Sequence, residues 1–160
     1  VNYACVKNEL GALEGHTEHF ITATVDTALV AQNVLLAAES MGLGGVFIGG
    51  IRNNPQLVCD LLKLPEQVYP VFGMCLGWPV QANAVKPRFP VQTILHTDHY
   101  DLSQVASQVD AYDLQMQAYY QTRGSNQRIS NWSAQTAGAM QKKQRPHMLK
   151  FLQARGLLLR

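Results

Sequence analysis

Cysteine is scarce here and poorly placed for structural chemistry. Cys5, Cys59 and Cys75 are odd in number, far apart and without a C-x-x-C pair, which argues against a disulfide framework and a thiolate zinc site. Charge is sparse as well, at 15% of residues with a net +2, too little to demand nucleic acid or an anionic membrane surface as a partner. No uninterrupted apolar run reaches the roughly 18 residues of a spanning helix, and the N-terminus lacks the basic, apolar and small-residue order of a signal peptide. A soluble cytoplasmic protein with reduced thiols is predicted. A G-x-S-x-G elbow, a P-loop and any local carboxylate or Cys–His signature are also missing. A reaction run by protein side chains is therefore unsupported, whereas a cofactor can carry electrons and ask only orientation and electrostatics of the protein.

What the sequence does hold is apolar material. It is 47% hydrophobic over 160 residues, enough for one sizeable core and a single domain over 1–160. Val1 to Val6 reads as a strand already under way, in a chain whose beginning is absent. From Glu18 to Met41 apolar residues recur at helical spacing, and alanines at 23, 28, 31, 37 and 38 invite close approach of another backbone. Gly42 supplies the left-handed stop. Gly45 to Gly50 predicts a buried strand, and Asn54-Pro55 opens a helix that turns Leu57, Val58, Leu61 and Leu62 inward and stops before Pro65. Val71 to Trp78 predicts a second central strand, Val91 to Leu95 a short one, and Ser103 to Gln121 a helix. Two shorter helices follow, capped by Ser133 and opened by Pro146, the second ending at Gly156. Helices and strands in this order indicate a mixed α/β architecture.

Four features invite a chemical reading. Gly42 to Phe47 superficially matches a dinucleotide fingerprint, but that motif follows a strand and opens a helix, and here the order is reversed. Gly49-Gly50 at the end of the first strand either makes a tight turn or presents bare backbone to a planar ligand. Lys86-Pro87-Arg88-Phe89-Pro90 sets two cations two residues apart on an extended segment, either a phosphate grip or a solvated loop. Arg123, Arg128 and Arg145, with Gly124-Ser125-Asn126 between the first two, suit a phosphorylated cosubstrate, although surface arginines in polar loops are common. The pairs His16/His19 and His96/His99, three residues apart on loops with few carboxylates nearby, are too weak a pattern to predict a metal site.

Taken together, Ala37 to Gly45, Phe47 to Asn54, Phe72 to Pro79, Lys86 to Pro90, Tyr119 to Asn126 and Arg145-Pro146 resemble the oxygen-insensitive NADPH nitroreductases and related FMN reductases. The resemblance implies an α+β, nitroreductase-like fold, with a central mixed sheet flanked by helices, in which two subunits intertwine as a homodimer about the long helix. It implies FMN as cofactor, with Phe47, Ile48, Gly49 and Gly50 beside the isoalloxazine and an N–H near its N5, and with Lys86 and Arg88 on the phosphate. Arg123 and Arg128 are implied to bind NADPH from a mobile loop, Arg145 lies near the same pocket, and residues 122–160 form part of that site. The implied reaction is ping-pong transfer of two electrons from NADPH to nitroaromatics, quinones or free flavin, with no catalytic side chain. The family also carries an arginine- and serine-bearing N-terminal segment with no counterpart in these residues, so the alternative is a dimerisation module that cannot retain flavin. An arginine cluster suits the 2′-phosphate of NADPH, but the sequence does not fix NADPH over NADH.

Overall fold

The first element is a helix where a strand is predicted. In the computed structural model, which describes residues 2–11, 14–81, 84–142 and 144–160, Asn2–Lys7 forms helix α1. Asn8 ties off its end: the backbone N–H and the side-chain amide both donate to Ala4 O, at 3.2 and 2.8 Å. A strand would need a partner edge for its polar groups, and these local bonds satisfy them without one. Val1, where that strand was predicted to start, lies outside the described residues.

The described residues divide into two compact units, 1–80 with 145–160, and 81–144. In the first, the long helix α2 spans Thr17–Ser40 and closes as the sequence predicts. Gly42 takes φ 81°, Leu43 N–H bonds to Ala38 O and Gly42 N–H to Glu39 O, each at 3.0 Å, so the last carbonyls find donors in a Schellman arrangement. The chain then runs into strand β1, Gly44–Ile48, a 3-10 turn over Gly49–Asn53, and helix α3, Pro55–Leu62. Asn54 caps α3 by accepting from Leu57 N–H at 3.2 Å. Strand β2, Gly73–Gly77, returns antiparallel to β1 with Val46 opposite Cys75 and Phe47 opposite Met74. Ala31 and Ala38 are the buried residues of α2, which packs on this two-stranded sheet, and a Cβ at Gly45 would collide with Leu35 and Leu76. Small residues thus let helix and strand approach closely.

Several inward positions turn out uncovered in the single chain. Val46 is 54% and Phe47 39% exposed, so β1 is not a buried strand. In α3 the buried residues are Pro55 and Cys59, while Leu57, Leu61 and Leu62 are exposed. A two-stranded sheet and one helix offer too little surface to cover both faces of these elements. By length and mean hydropathy α2 does qualify as a possible membrane span, among the described residues, although no run within it is uninterrupted. Helix α6, Met148–Ala154, starts two residues after Pro146 and ends at Gly156 with φ 77°.

The second unit is built on helix α4, Val105–Thr122, whose Tyr112, Met116 and Tyr120 recur every four residues and form a core with Phe89, Tyr119 and Trp132 against it. Val91–Thr93 is a 3-10 turn rather than a strand: Thr93 N–H bonds to Pro90 O, and Ile94 and Leu95 N–H bond to Val91 O. Helix α5, Trp132–Lys142, is capped by Asn131, whose Oδ1 accepts from Ala134 N–H at 2.9 Å. Ser133, the predicted cap, instead donates its N–H and hydroxyl to the Asp113 carboxylate, fastening α5 to α4.

Candidate functional site

Phe89 decides where the proline-flanked cations stand. Its ring packs on Tyr112 at 4.1 Å between centroids and edge-on to Trp132 at 4.7 Å, while Tyr112 Oη donates to Pro87 O at 2.8 Å. The extended segment is thereby pinned along α4. Lys86 then reaches over the ring of Tyr120, with Nζ 5.9 Å from its centroid, whereas Arg88 Nη1 turns back to the Lys86 carbonyl at 3.0 Å. The structure brings the two cations onto one short segment but does not aim both side chains at one spot.

At the C-terminal end of α4 the loop of residues 123–128 folds back on the same tyrosine. Arg128 N–H bonds to Tyr120 O at 3.1 Å and its guanidinium carbon lies 4.4 Å from the ring centroid. The Arg123 guanidinium carbon lies 5.0 Å from that centroid, and its Nε donates to Asn126 O at 3.0 Å. Three cations therefore converge on one ring, and none is hydrogen-bonded to a carboxylate among the described residues. Burial pushes the Tyr120 phenol up, but hydrogen bonding from Arg128 and Lys86 and the Lys86 charge outweigh it and leave the group below the ordinary tyrosine value. Beside this cluster a cleft of about 750 Å³ is lined by Lys86, Tyr119, Arg123 and Gly124-Ser125-Asn126. Cations gathered without acidic partners at the wall of an open cleft give that wall a positive potential.

The glycine pair lies in the first unit. Phe47 meets Phe72 edge-on at 5.1 Å, setting the strand end from which Ile48, Gly49 and Gly50 continue. A Cβ on Gly50 would touch only Ile48, at 4.0 Å, so that face of the turn is bare backbone. Arg145 also belongs to this unit. Its Nε donates to Asn53 Oδ1 at 2.9 Å and its Nη2 to Gly49 O at 3.2 Å. Arg52 donates to Val71 O, and a His147 ring nitrogen lies 2.9 Å from Arg52 O. Tyr120 and His147 escaped the sequence reading, because a tyrosine at core spacing and a lone histidine carry no signal until their neighbours are known. Among the described residues no cluster of His, Cys, Asp or Glu suits a metal ion.

Two family profiles match: the Nitroreductase family over residues 10–78 and the Nitroreductase family, C-terminal domain, over residues 86–160. The chain is 47% identical to a NADPH-flavin oxidoreductase of Vibrio harveyi, over 90% of this chain and 60% of that protein. It is 46% identical to an oxygen-insensitive NADPH nitroreductase of Salmonella typhimurium, over 89% of this chain and 59% of that protein. Among solved structures, an NADPH:FMN oxidoreductase from Vibrio harveyi complexed with NAD+ superposes with a TM-score of 0.84 at 40% identity, covering 99% of this chain and 64% of that one. The chain thus spans about 60% of the length of the curated relatives it matches.

Proposed function

We propose, because the chain belongs to the nitroreductase family, that it forms the greater part of an FMN-dependent oxidoreductase that takes hydride from NADPH and reduces nitroaromatics, quinones or free flavin. The observation that carries this reading is the set of three cations, Lys86, Arg123 and Arg128, held on the ring of Tyr120 without a carboxylate partner among the described residues. FMN, when bound, supplies the two-electron carrier of a ping-pong exchange between NADPH and the acceptor. The chain's own residues bind and orient. Gly49 and Gly50 let a planar ring approach backbone next to Phe47 and Ile48, since a Cβ on Gly50 would take up the bare face. Lys86 and Arg88 are assigned to the flavin phosphate, and Arg123 and Arg128 to the phosphates of NADPH, on the family resemblance, lysine offering a point charge and arginine a fork that matches phosphate oxygens.

The family relatives named as NADPH-using support the same cosubstrate here. The exposed apolar side chains of α2, among them Leu29 and Val30, support a homodimer, and the free thiols of Cys5, Cys59 and Cys75 suit the cytoplasm. The test is direct. The purified chain is mixed with FMN and desalted: retained flavin absorbance that NADPH bleaches and a quinone restores is the expected result. A preparation that stays colourless overturns the reading for this chain.

A further inference from the structure

The peptide joining Gly49 to Gly50 is planar and trans, so the Gly49 carbonyl and the Gly50 N–H point in opposite directions. Whatever grips the one aims the other. Arg145 grips the carbonyl through Nη2 at 3.2 Å and anchors itself through Nε on Asn53 Oδ1 at 2.9 Å. Two residues on, His147 meets the Arg52 carbonyl at 2.9 Å. A strap from the far end of the chain therefore fastens the 49–53 turn at three points. Arg145 adopts φ 45°, in the left-handed region, which costs a residue with a side chain about 1 kcal/mol or more and persists only where surrounding contacts fix it.

The bond to Gly49 is also charge-assisted. A cation on a carbonyl polarises the whole peptide, so the N–H on its other side becomes a stronger donor, as bonds in series reinforce one another. Gly50 is the place where that donor is unshielded, because its face carries no side chain and a Cβ there would meet only Ile48.

We propose that Arg145 is a positioning residue: by holding the Gly49 carbonyl it aims and strengthens the Gly50 N–H toward the flavin ring and so favours the electron-rich, reduced form of that ring. The proposal rests on the reading of Phe47–Gly50 as the flavin-facing segment. Arg145 acts through the backbone and touches neither substrate nor ring in this role.

The experiment compares the FMN-loaded chain with Arg145→Ala and Arg145→Lys by the midpoint potential of the bound flavin, and by amide hydrogen exchange over residues 49–53 without flavin. Arg145→Ala is expected to weaken binding of reduced relative to oxidised FMN about tenfold, a fall of about 30 mV for a two-electron couple. Exchange at the later amides of the 49–53 turn is expected to accelerate about tenfold, equivalent to about 1.4 kcal/mol of lost protection. Arg145→Lys, which keeps the charge and loses the fork, is expected to recover part of the potential, an effect a purely structural strut would not give. An unchanged potential in a folded, FMN-loaded Arg145→Ala protein overturns the proposal whatever the exchange shows. If Arg145→Ala fails to fold, Arg145→Met keeps the aliphatic stem and removes the donor to the Gly49 carbonyl, and an unchanged potential in that variant is equally fatal. Wild-type protein that takes up no FMN instead overturns the flavin reading itself, a result distinct from a wild type that binds and a variant that behaves alike.

Discussion

Tyr120 concentrates the chemistry of the second unit in one side chain. Its ring sits in the core with Tyr112 and Met116, while its edge and hydroxyl meet Lys86 and Arg128. Because burial is outweighed by those cations, the phenol is expected to ionise below the ordinary value of about 10 in the folded protein and to return upward in Arg128→Ala, as phenolate absorbance would report. The sign follows from linkage: the folded state sheds this proton before the unfolded state does. The resulting stabilisation is complete above about pH 10 and disappears as pH falls below the folded value. Arg123 is expected to matter to a ligand rather than to the fold, since among the described residues its guanidinium bonds only to Asn126 in its own loop and rests on the Tyr120 ring. Arg123→Ala should raise KM for NADPH at least about tenfold, the loss of one charge-assisted hydrogen bond, while KM for the acceptor stays put. Equal rises in both constants would remove its cosubstrate role. The resemblance and the cation spacing pointed to Lys86, Arg123 and Arg128 from sequence. That they share one aromatic platform was invisible, because the ring comes from a helix whose periodicity announces only a core position.

At the scale of elements, the caps decide the boundaries. Gly42→Ala would force a Cβ into φ 81° and is expected to cost about 1 kcal/mol. Asn54→Ala removes the acceptor for Leu57 N–H and should cost a similar amount, about 1 kcal/mol. Both should shift the denaturation midpoint at constant slope, and a changed slope would point to something other than a lost cap. Signals written in single residues with special backbone geometry read well: the stop at Gly42, the Asn54-Pro55 start and the end at Gly156. Ser133 misled because Asn131 competes for the same cap and Asp113, 20 positions earlier, claims the serine. The stretch Val91–Leu95 misled because strand propensity is a preference for a neighbouring edge, and among the described residues none pairs with it.

For the whole molecule, the decisive fact is how much apolar surface the single chain leaves open. Leu29 is 59% and Val30 62% exposed on a helix that is 24 residues long. In the proposed homodimer such a face would lie against a second copy, and Val30→Glu is expected to convert that dimer into a less stable monomer in light scattering. A wild-type chain already monomeric at the same concentration would refute the dimer.

The sequence alone determined what depends on local chemistry. It fixed the family through its motifs, the places of α2, β1, α3, β2 and α4 through periodicity and caps, and the residue types able to hold phosphates. Tertiary structure decided what depends on distant partners. It put Lys86 and two loop arginines on one tyrosine and hydrogen-bonded Arg145 to the glycine turn 96 positions away. It also left Leu57, Leu61 and Val46 exposed. Periodicity reports which side chains want burial, whereas only the packed chain determines what is there to cover them.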